Sequence, residues 1–171
     1  MIKPDEVKAK AQKLEEENYE FRTFLKCNAD PDELDEQFAA LHKELFADYD
    51  CCKCANCCKS LDIFLNEEEV ERLASCTTIS KSDFIALYLT KTNTDDEKLY
   101  KFSDYCLFLE GDGTCDIYDR RPQDCRSFPF TDQPDRLQSM LSIIGHAEVC
   151  PVVFEILERL KVEYGFRKKR K

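Results

Sequence analysis

A helix-rich α+β domain folded around a cysteine-bound metal is the fold class this sequence predicts, and three observations predict it. Apolar residues recur three and four positions apart through long charged stretches, the mark of amphipathic helices. Two short runs, Leu61 to Leu65 and the pair Tyr100 and Phe102, read instead as strands. Eight of the eleven cysteines fall into two clusters, at spacings that converge on a metal.

The elements follow in chain order. Residues 1–50 are charged and read as a hairpin of two helices. Pro4 sits near the start of the first, and Leu14, Phe21, Phe24 and Leu25 give it a partial apolar stripe. Asp30-Pro31 marks the break. The second helix runs from Pro31 to about Tyr49, with Leu34, Phe38, Leu41, Leu45 and Phe46 at helical spacing. The hairpin is expected to pack on the cysteine domain, with a protein partner on its face as the alternative. Residues 51–151 form the cysteine-bearing domain. Its first strand leads to Asn66, an N-cap residue, and Glu67, Glu68 and Glu69 suit the positive end of the helix that follows. Ser80 or Ser82 opens a further helix through Phe84, Ile85, Leu87, Tyr88 and Leu89. Residues 92–97 form a polar loop, and Glu110-Gly111-Asp112-Gly113 is a turn that folds Cys106 back toward Cys115. A strand is expected from Leu137 to Ile144. Residues 152–171 carry a C-terminal helix that packs on the domain and ends in a basic tail. Pro151 suits the first position of that helix, and Val153, Phe154, Leu157 and Leu160 form its inward stripe.

Composition narrows the function classes. The 171 residues suffice for one domain with a real core, which 12 Phe and no Trp must fill together with Leu and Tyr. No apolar run approaches the roughly 20 residues of a membrane helix. The N-terminus lacks an apolar signal region, so a cytoplasmic location is expected. A net charge of −10 disfavours general nucleic-acid binding. Acid is concentrated early, with 14 Asp and Glu against 7 Lys and Arg in residues 1–50. The basic run Arg167 to Lys171 reads as a solvated tail, against the alternative of a contact with RNA or an acidic partner.

The cysteines carry the chemistry. The first cluster reads C-x2-C-x2-C-C, with Cys51, Cys54, Cys57 and Cys58 plus an extra Cys52. The second reads C-x8-C-x9-C, with Cys106, Cys115 and Cys125, and Cys150-Pro151 follows later. A reducing compartment keeps such residues as thiols, and an odd count leaves no complete disulfide pairing. Each C-x2-C unit lets one turn aim two sulfurs at one ion, and zinc takes four such ligands. Cys51, Cys54 and Cys57 also match the first three ligands of a bacterial-type ferredoxin cluster, whose last cysteine precedes a proline as Cys150 does. Cys57 and Cys58 are neighbours, and neighbouring side chains tend to point apart. The candidate ligands are therefore Cys51, Cys54, Cys57, Cys58, Cys106, Cys115, Cys125 and Cys150, enough for two four-ligand sites or for one cluster and one zinc. The cofactor is zinc or iron, with a 4Fe–4S cluster open.

Residues Cys51–Cys58, the stretch CLFLEGDGTCDIYDRRPQDCRSFPF from Cys106 to Phe130, and Cys150-Pro151 together resemble the YkgJ-type cysteine-cluster family, a zinc- or iron-chelating domain. The shared positions include Leu109, Gly113, Ile117, Tyr118, Arg121, Pro122, Arg126, Phe128 and Pro129, and the resemblance spans about residues 51–151. Ala55 stands where the family often has Gly, so its turn must close without a residue free to turn left-handed. The resemblance implies a metal centre and leaves its use open. A bacterial flagellin lysine N-methylase shares the cysteine pattern, which adds a metal-dependent enzyme to the alternatives, beside metal storage or delivery. Neither a Gly-rich strand–turn–helix nor a C-x3-C-x2-C motif supports the methyl-transfer alternative.

Other residues divide between site and scaffold. Arg120, Arg121 and Arg126 surround Pro122 and Cys125, where they either balance thiolate charge or pair with Asp119 and Asp124. Tyr118 and Ile117 read as packing, and Phe128-Pro129-Phe130 as core. His146 is a reserve ligand, whereas His42 has nothing nearby to recommend it. Cys27 and Cys76 lie outside the clusters and read as packed or free thiols. A Cys–His nucleophilic pair is disfavoured by metal-type spacing throughout. Metal binding is expected to be coupled to folding of residues 51–151.

Overall fold

The computed structural model describes residues 1–92, 100–103 and 106–166. The chain divides into two compact units, one of residues Met1–Asp50 with the chain from Pro129 onward, the other Cys51–Phe128. Among the described residues there are ten α-helices, one 3-10 turn and a three-stranded antiparallel sheet. This is the helix-rich α+β class that the sequence predicts.

The first unit is helical. It contains α1 (Val7–Lys13), α2 (Glu15–Asn28) and α3 (Pro31–Phe46), then α9 (Met140–Ala147) and α10 (Pro151–Glu163). The expected first helix is two, because the backbone leaves helical values at Leu14 (φ −104°, ψ 8°). Helix α3 starts where Asp30-Pro31 predicts, and the Asp30 side chain accepts from Asp32 N (3.0 Å) and Glu33 N (3.1 Å). Helix α10 begins at Pro151 as expected and packs against α3 and α9. Phe21, Leu25, Leu34, Phe38, Met140, Ile143, Leu157 and Leu160 are buried, each adding roughly 1.5–3 kcal/mol of apolar transfer energy. Lys161 is buried between Glu17 (3.0 Å) and Glu158 (2.6 Å). Asp35 accepts from the backbone N–H groups of Asp135 (2.7 Å) and Arg136 (2.8 Å), fixing the loop before α9.

One expected strand is overturned here. The run Leu137 to Ile144 was expected to extend, yet Met140–Ala147 is helix α9. Met140, Ile143, Ile144 and Ala147 are buried, which is a helical face. A short apolar run alone does not separate a buried strand from a buried helix, and burial at three- and four-residue spacing decides it.

The second unit builds a small sheet and places helices around it. Helices α4 (Cys51–Cys54) and α5 (Asn56–Ser60) lead to β1 (Phe64–Leu65), α6 (Glu67–Ala74), α7 (Lys81–Tyr88), β2 (Leu89–Lys91) and β3 (Tyr100–Phe102). A 3-10 turn (Tyr118–Arg120) and α8 (Gln123–Ser127) complete it. Strand β3 is central, pairing Lys101 with Phe64 on one side and with Thr90 on the other. Strand β2 was not expected, because Leu89 continues the apolar pattern of α7 without a break in composition. Helix α6 starts at the predicted Asn66 with a complete capping box: Asn66 Oδ1 accepts from Glu69 N (2.8 Å), and Glu69 Oε2 accepts from Asn66 N (3.1 Å). Leu65, Val70, Leu73, Phe84, Leu89, Phe102, Phe108 and Ile117 form the core.

Only Thr92 of the polar loop expected at 92–97 is described, and the basic tail from Arg167 lies outside the described residues. Among the described residues no single helix is long and apolar enough to cross a membrane. Helices α9 and α10 are apolar as a pair but are bent by 120°.

Candidate metal centre

The first cysteine cluster lies on two short helices joined by one residue. The sequence motif predicts turns, and the structure tightens them into α4 and α5. Between them Ala55 is buried with φ 52° and ψ 14°, in the left-handed region. This is the position where the resemblance favours glycine, so the backbone keeps the glycine conformation with an alanine in place. Cys51 is exposed, while Cys52, Cys54, Cys57 and Cys58 are half-buried. The Sγ atoms of Cys57 and Cys58 stand 4.0 Å apart, so these neighbours converge where divergence was expected.

The second cluster begins on a hairpin. Leu109 pairs with Cys115, Glu110 N donates to Thr114 O (2.9 Å), and Gly113 N donates to Glu110 O (3.0 Å). The turn predicted at Glu110–Gly113 therefore brings Cys106 and Cys115 to the same end of the hairpin. Asp112 Oδ1 is engaged by Thr114 N (2.9 Å) and Thr114 Oγ1 (2.7 Å), a local turn bond. Gly113 has φ 92°, and a Cβ there would lie 2.5 Å from the Cys52 carbonyl oxygen. The hairpin tip thus sits against the backbone of α4, which joins the two clusters within one unit. Cys106 and Cys115 also pack on the core that holds Phe108 and Ile117.

Cys125 is carried by α8, which α6 holds in place. Gln123 N donates to Glu69 Oε1 (2.8 Å), so the carboxylate that caps α6 also anchors the start of α8. Arg72 Nη1 donates to the carbonyls of Arg120 (2.7 Å) and Arg121 (3.2 Å). Glu69 and Arg72 were absent from the candidate residues. The sequence marked Glu69 only as one of three acids at the positive end of α6, and its bond to Gln123 crosses 54 residues and has no local signal.

Electrostatics shows which thiols lie together. Cys58 is lowered to about 6, chiefly because Cys57 donates a hydrogen bond to its thiolate, with Arg121 and Lys59 adding positive charge. Burial raises Cys106, and the negative forms of Cys115 and Cys58 raise it further. Burial likewise raises Cys115, with Cys58 and Cys52 contributing. Cys125 is pushed up to about 12, first by burial and then by Cys106, Cys58 and Cys115. Every pair within the set Cys58, Cys106, Cys115 and Cys125 is therefore close enough for one charge to disfavour another. Among the described residues no group of three or more His, Cys, Asp or Glu side chains is arranged to hold an ion as it stands. The thiols are gathered at electrostatic range. Their softness suits zinc or iron.

The remaining candidates are placed elsewhere. Cys150 belongs to the first unit, buried at the N-cap of α10, with its N–H donating to His146 O (2.8 Å). His146 is half-buried, and burial lowers its imidazole. Cys76 packs on the core of the second unit and donates to Arg72 O (3.4 Å), whereas Cys27 is exposed at the end of α2. His42 Nδ1 lies 2.8 Å from Thr131 Oγ1 and has a role in the first unit that sequence reading did not find. No disulfide joins any of the eleven cysteines.

Thiols from α5, a hairpin and α8, drawn together in a small sheet-and-helix unit, define a cysteine-cluster metal-chelating domain. The model of the family CxxCxxCC, described as "Putative zinc- or iron-chelating domain", matches residues 50–151, and the chain belongs to that family. No curated protein and no solved structure matches the chain.

Proposed function

We propose that this protein holds zinc or iron through cysteine thiolates, and that the bound metal organises the segment Cys51–Phe128 as a structural or regulatory centre. One observation carries the reading: Cys58, Cys106, Cys115 and Cys125 come from three separate pieces of chain, and negative charge on Cys58 disfavours ionisation of the other three. In the absence of a cation such a set repels itself when ionised, so binding of metal and closure of the loops are one process. Cys51, Cys54 and Cys57 retain ligand spacing beside this set, and Cys150 stays a candidate from its C-P context. A 4Fe–4S cluster remains an alternative to zinc, and a reducing cytoplasm suits either.

Metal content and the ultraviolet–visible spectrum of anaerobically purified protein test the proposal. Zinc without colour, or iron with acid-labile sulfide and broad absorption, identifies the centre. Cys125→Ala is expected to lower bound metal and thermal stability together. Full occupancy with an unchanged melting curve in that variant would refute the proposal. Metal transfer is a second reading, favoured by the exposure of Cys51 and partial exposure of Cys52 and Cys54. It requires metal that a chelator removes in a fast exchange, and a tight, integral, slowly exchanging complement counts against it.

A further inference from the structure

We propose that Cys57 and Cys58 form a redox-active pair, which a hydroperoxide closes to a disulfide between neighbours and a dithiol reductant reopens. Closure excludes metal from these two sulfurs. That consequence rests on the metal-binding reading above, whereas the closure itself does not.

The two Sγ atoms stand 4.0 Å apart. A disulfide brings them to about 2.05 Å. Both residues are half-buried, outside the sealed core. One thiolate attacks a peroxide oxygen, giving a sulfenic acid and one water. The second sulfur then displaces the hydroxyl, which leaves as a further water. Two thiols lose two protons and two electrons, and hydrogen peroxide becomes two waters.

The fold makes this bond labile. Both cysteines lie on α5, where Lys59 N donates to Ala55 O (3.2 Å) and Leu61 N to Cys57 O (3.0 Å). Adjacent helical side chains do not face each other. Joining the sulfurs therefore bends the one peptide group between them and opens this turn. The loss is small, because α5 has 5 residues and starts at the left-handed Ala55. Strained disulfides have high reduction potentials and are readily reopened, the behaviour of a switch and not of a staple. The thiolate is the form that ligates metal, so the closed pair and a metal-bound pair exclude each other.

The experiment treats the full chain with hydrogen peroxide, once after chelation and once reconstituted with zinc. Remaining thiols are alkylated, and the tryptic peptide Cys54 to Lys59 is weighed and fragmented. In the chelated protein Cys54 is expected to carry the alkyl group while Cys57 and Cys58 carry none, and dithiothreitol restores both. Cys27, exposed at the end of α2, is the reference for an accessible thiol with no cysteine beside it in sequence. The pair should be consumed at least about 10-fold faster than Cys27. Cys54→Ser keeps the closure, and Cys57→Ser and Cys58→Ser each abolish it. In the zinc-loaded protein, zinc is released in step with closure. A bond from Cys57 or Cys58 to any other cysteine overturns the proposal, as does consumption no faster than that of Cys27. Zinc fully retained after closure overturns the exclusion of metal. A reduced wild type that binds neither zinc nor iron removes the metal-binding reading and leaves the closure test standing.

Discussion

At the scale of single residues, Cys58 is the thiol whose surroundings favour its ionised form. Its hydrogen bond from Cys57 and the charges of Arg121 and Lys59 outweigh burial and hold the thiol near 6. This lies below its ordinary value of 9.0, so the thiolate's contribution to metal-free stability is present above about pH 9 and is lost as pH falls through about 6. Alkylation of the metal-free protein, followed by mass spectrometry, is expected to modify Cys58 with a midpoint near pH 6. Cys57→Ala removes the largest cause and should move that midpoint upward; a midpoint that stays put would show that Cys57 is not the cause. The sequence singled out Cys58 as a ligand candidate but not as the acidic thiol. Adjacent helical side chains normally do not face each other. The rotamers that bring the two sulfurs to 4.0 Å are set by packing that no spacing rule encodes.

At the scale of elements, two tight turns decide whether the clusters meet. Ala55 occupies a left-handed conformation that costs an alanine roughly 1–2 kcal/mol, so Ala55→Gly is expected to stabilise the protein by about 1 kcal/mol in urea unfolding. No gain would mean that burial of the alanine methyl offsets the backbone strain. Gly113 is the reverse case. Its φ of 92° and the Cys52 carbonyl 2.5 Å from any added Cβ leave no room for a side chain. Gly113→Ala should therefore destabilise by about 1–3 kcal/mol and reduce bound metal, since the hairpin tip must lift off α4. A fully metal-loaded, normally stable Gly113→Ala variant would show that the contact is dispensable. These turns were partly legible. The Gly-Asp-Gly composition announced the hairpin, and the departure at Ala55 marked a turn that had to close without glycine, but not that the alanine itself would turn left-handed. The contact between Gly113 and Cys52 was not, because it joins positions 61 residues apart in the chain.

At the scale of the whole molecule, the chain leaves the first unit after Asp50 and returns to it at Pro129. The two units have different sources of stability. The first buries a continuous set of Phe, Leu and Ile side chains on five helices. The second has a smaller core and many polar loop ties, so its folding should depend on metal. Chelation followed by amide hydrogen exchange is expected to raise exchange in residues 51–128 strongly while α9 and α10 keep most of their protection. Equal loss of protection in both units would show that the metal supports the whole chain.

The sequence by itself determined the class of fold, the family, and the starts of α3, α6, α7 and α10, because caps, prolines and cysteine spacing act within a few residues. It also supplied the donor atoms and hence the softness of the ion they suit. Tertiary structure decided which thiols share an environment, and that residues 140–147 are helix. Those outcomes depend on burial and on pairings between distant positions, such as Glu69 with Gln123 and Arg72 with Arg121, whose energies appear only once the chain has folded.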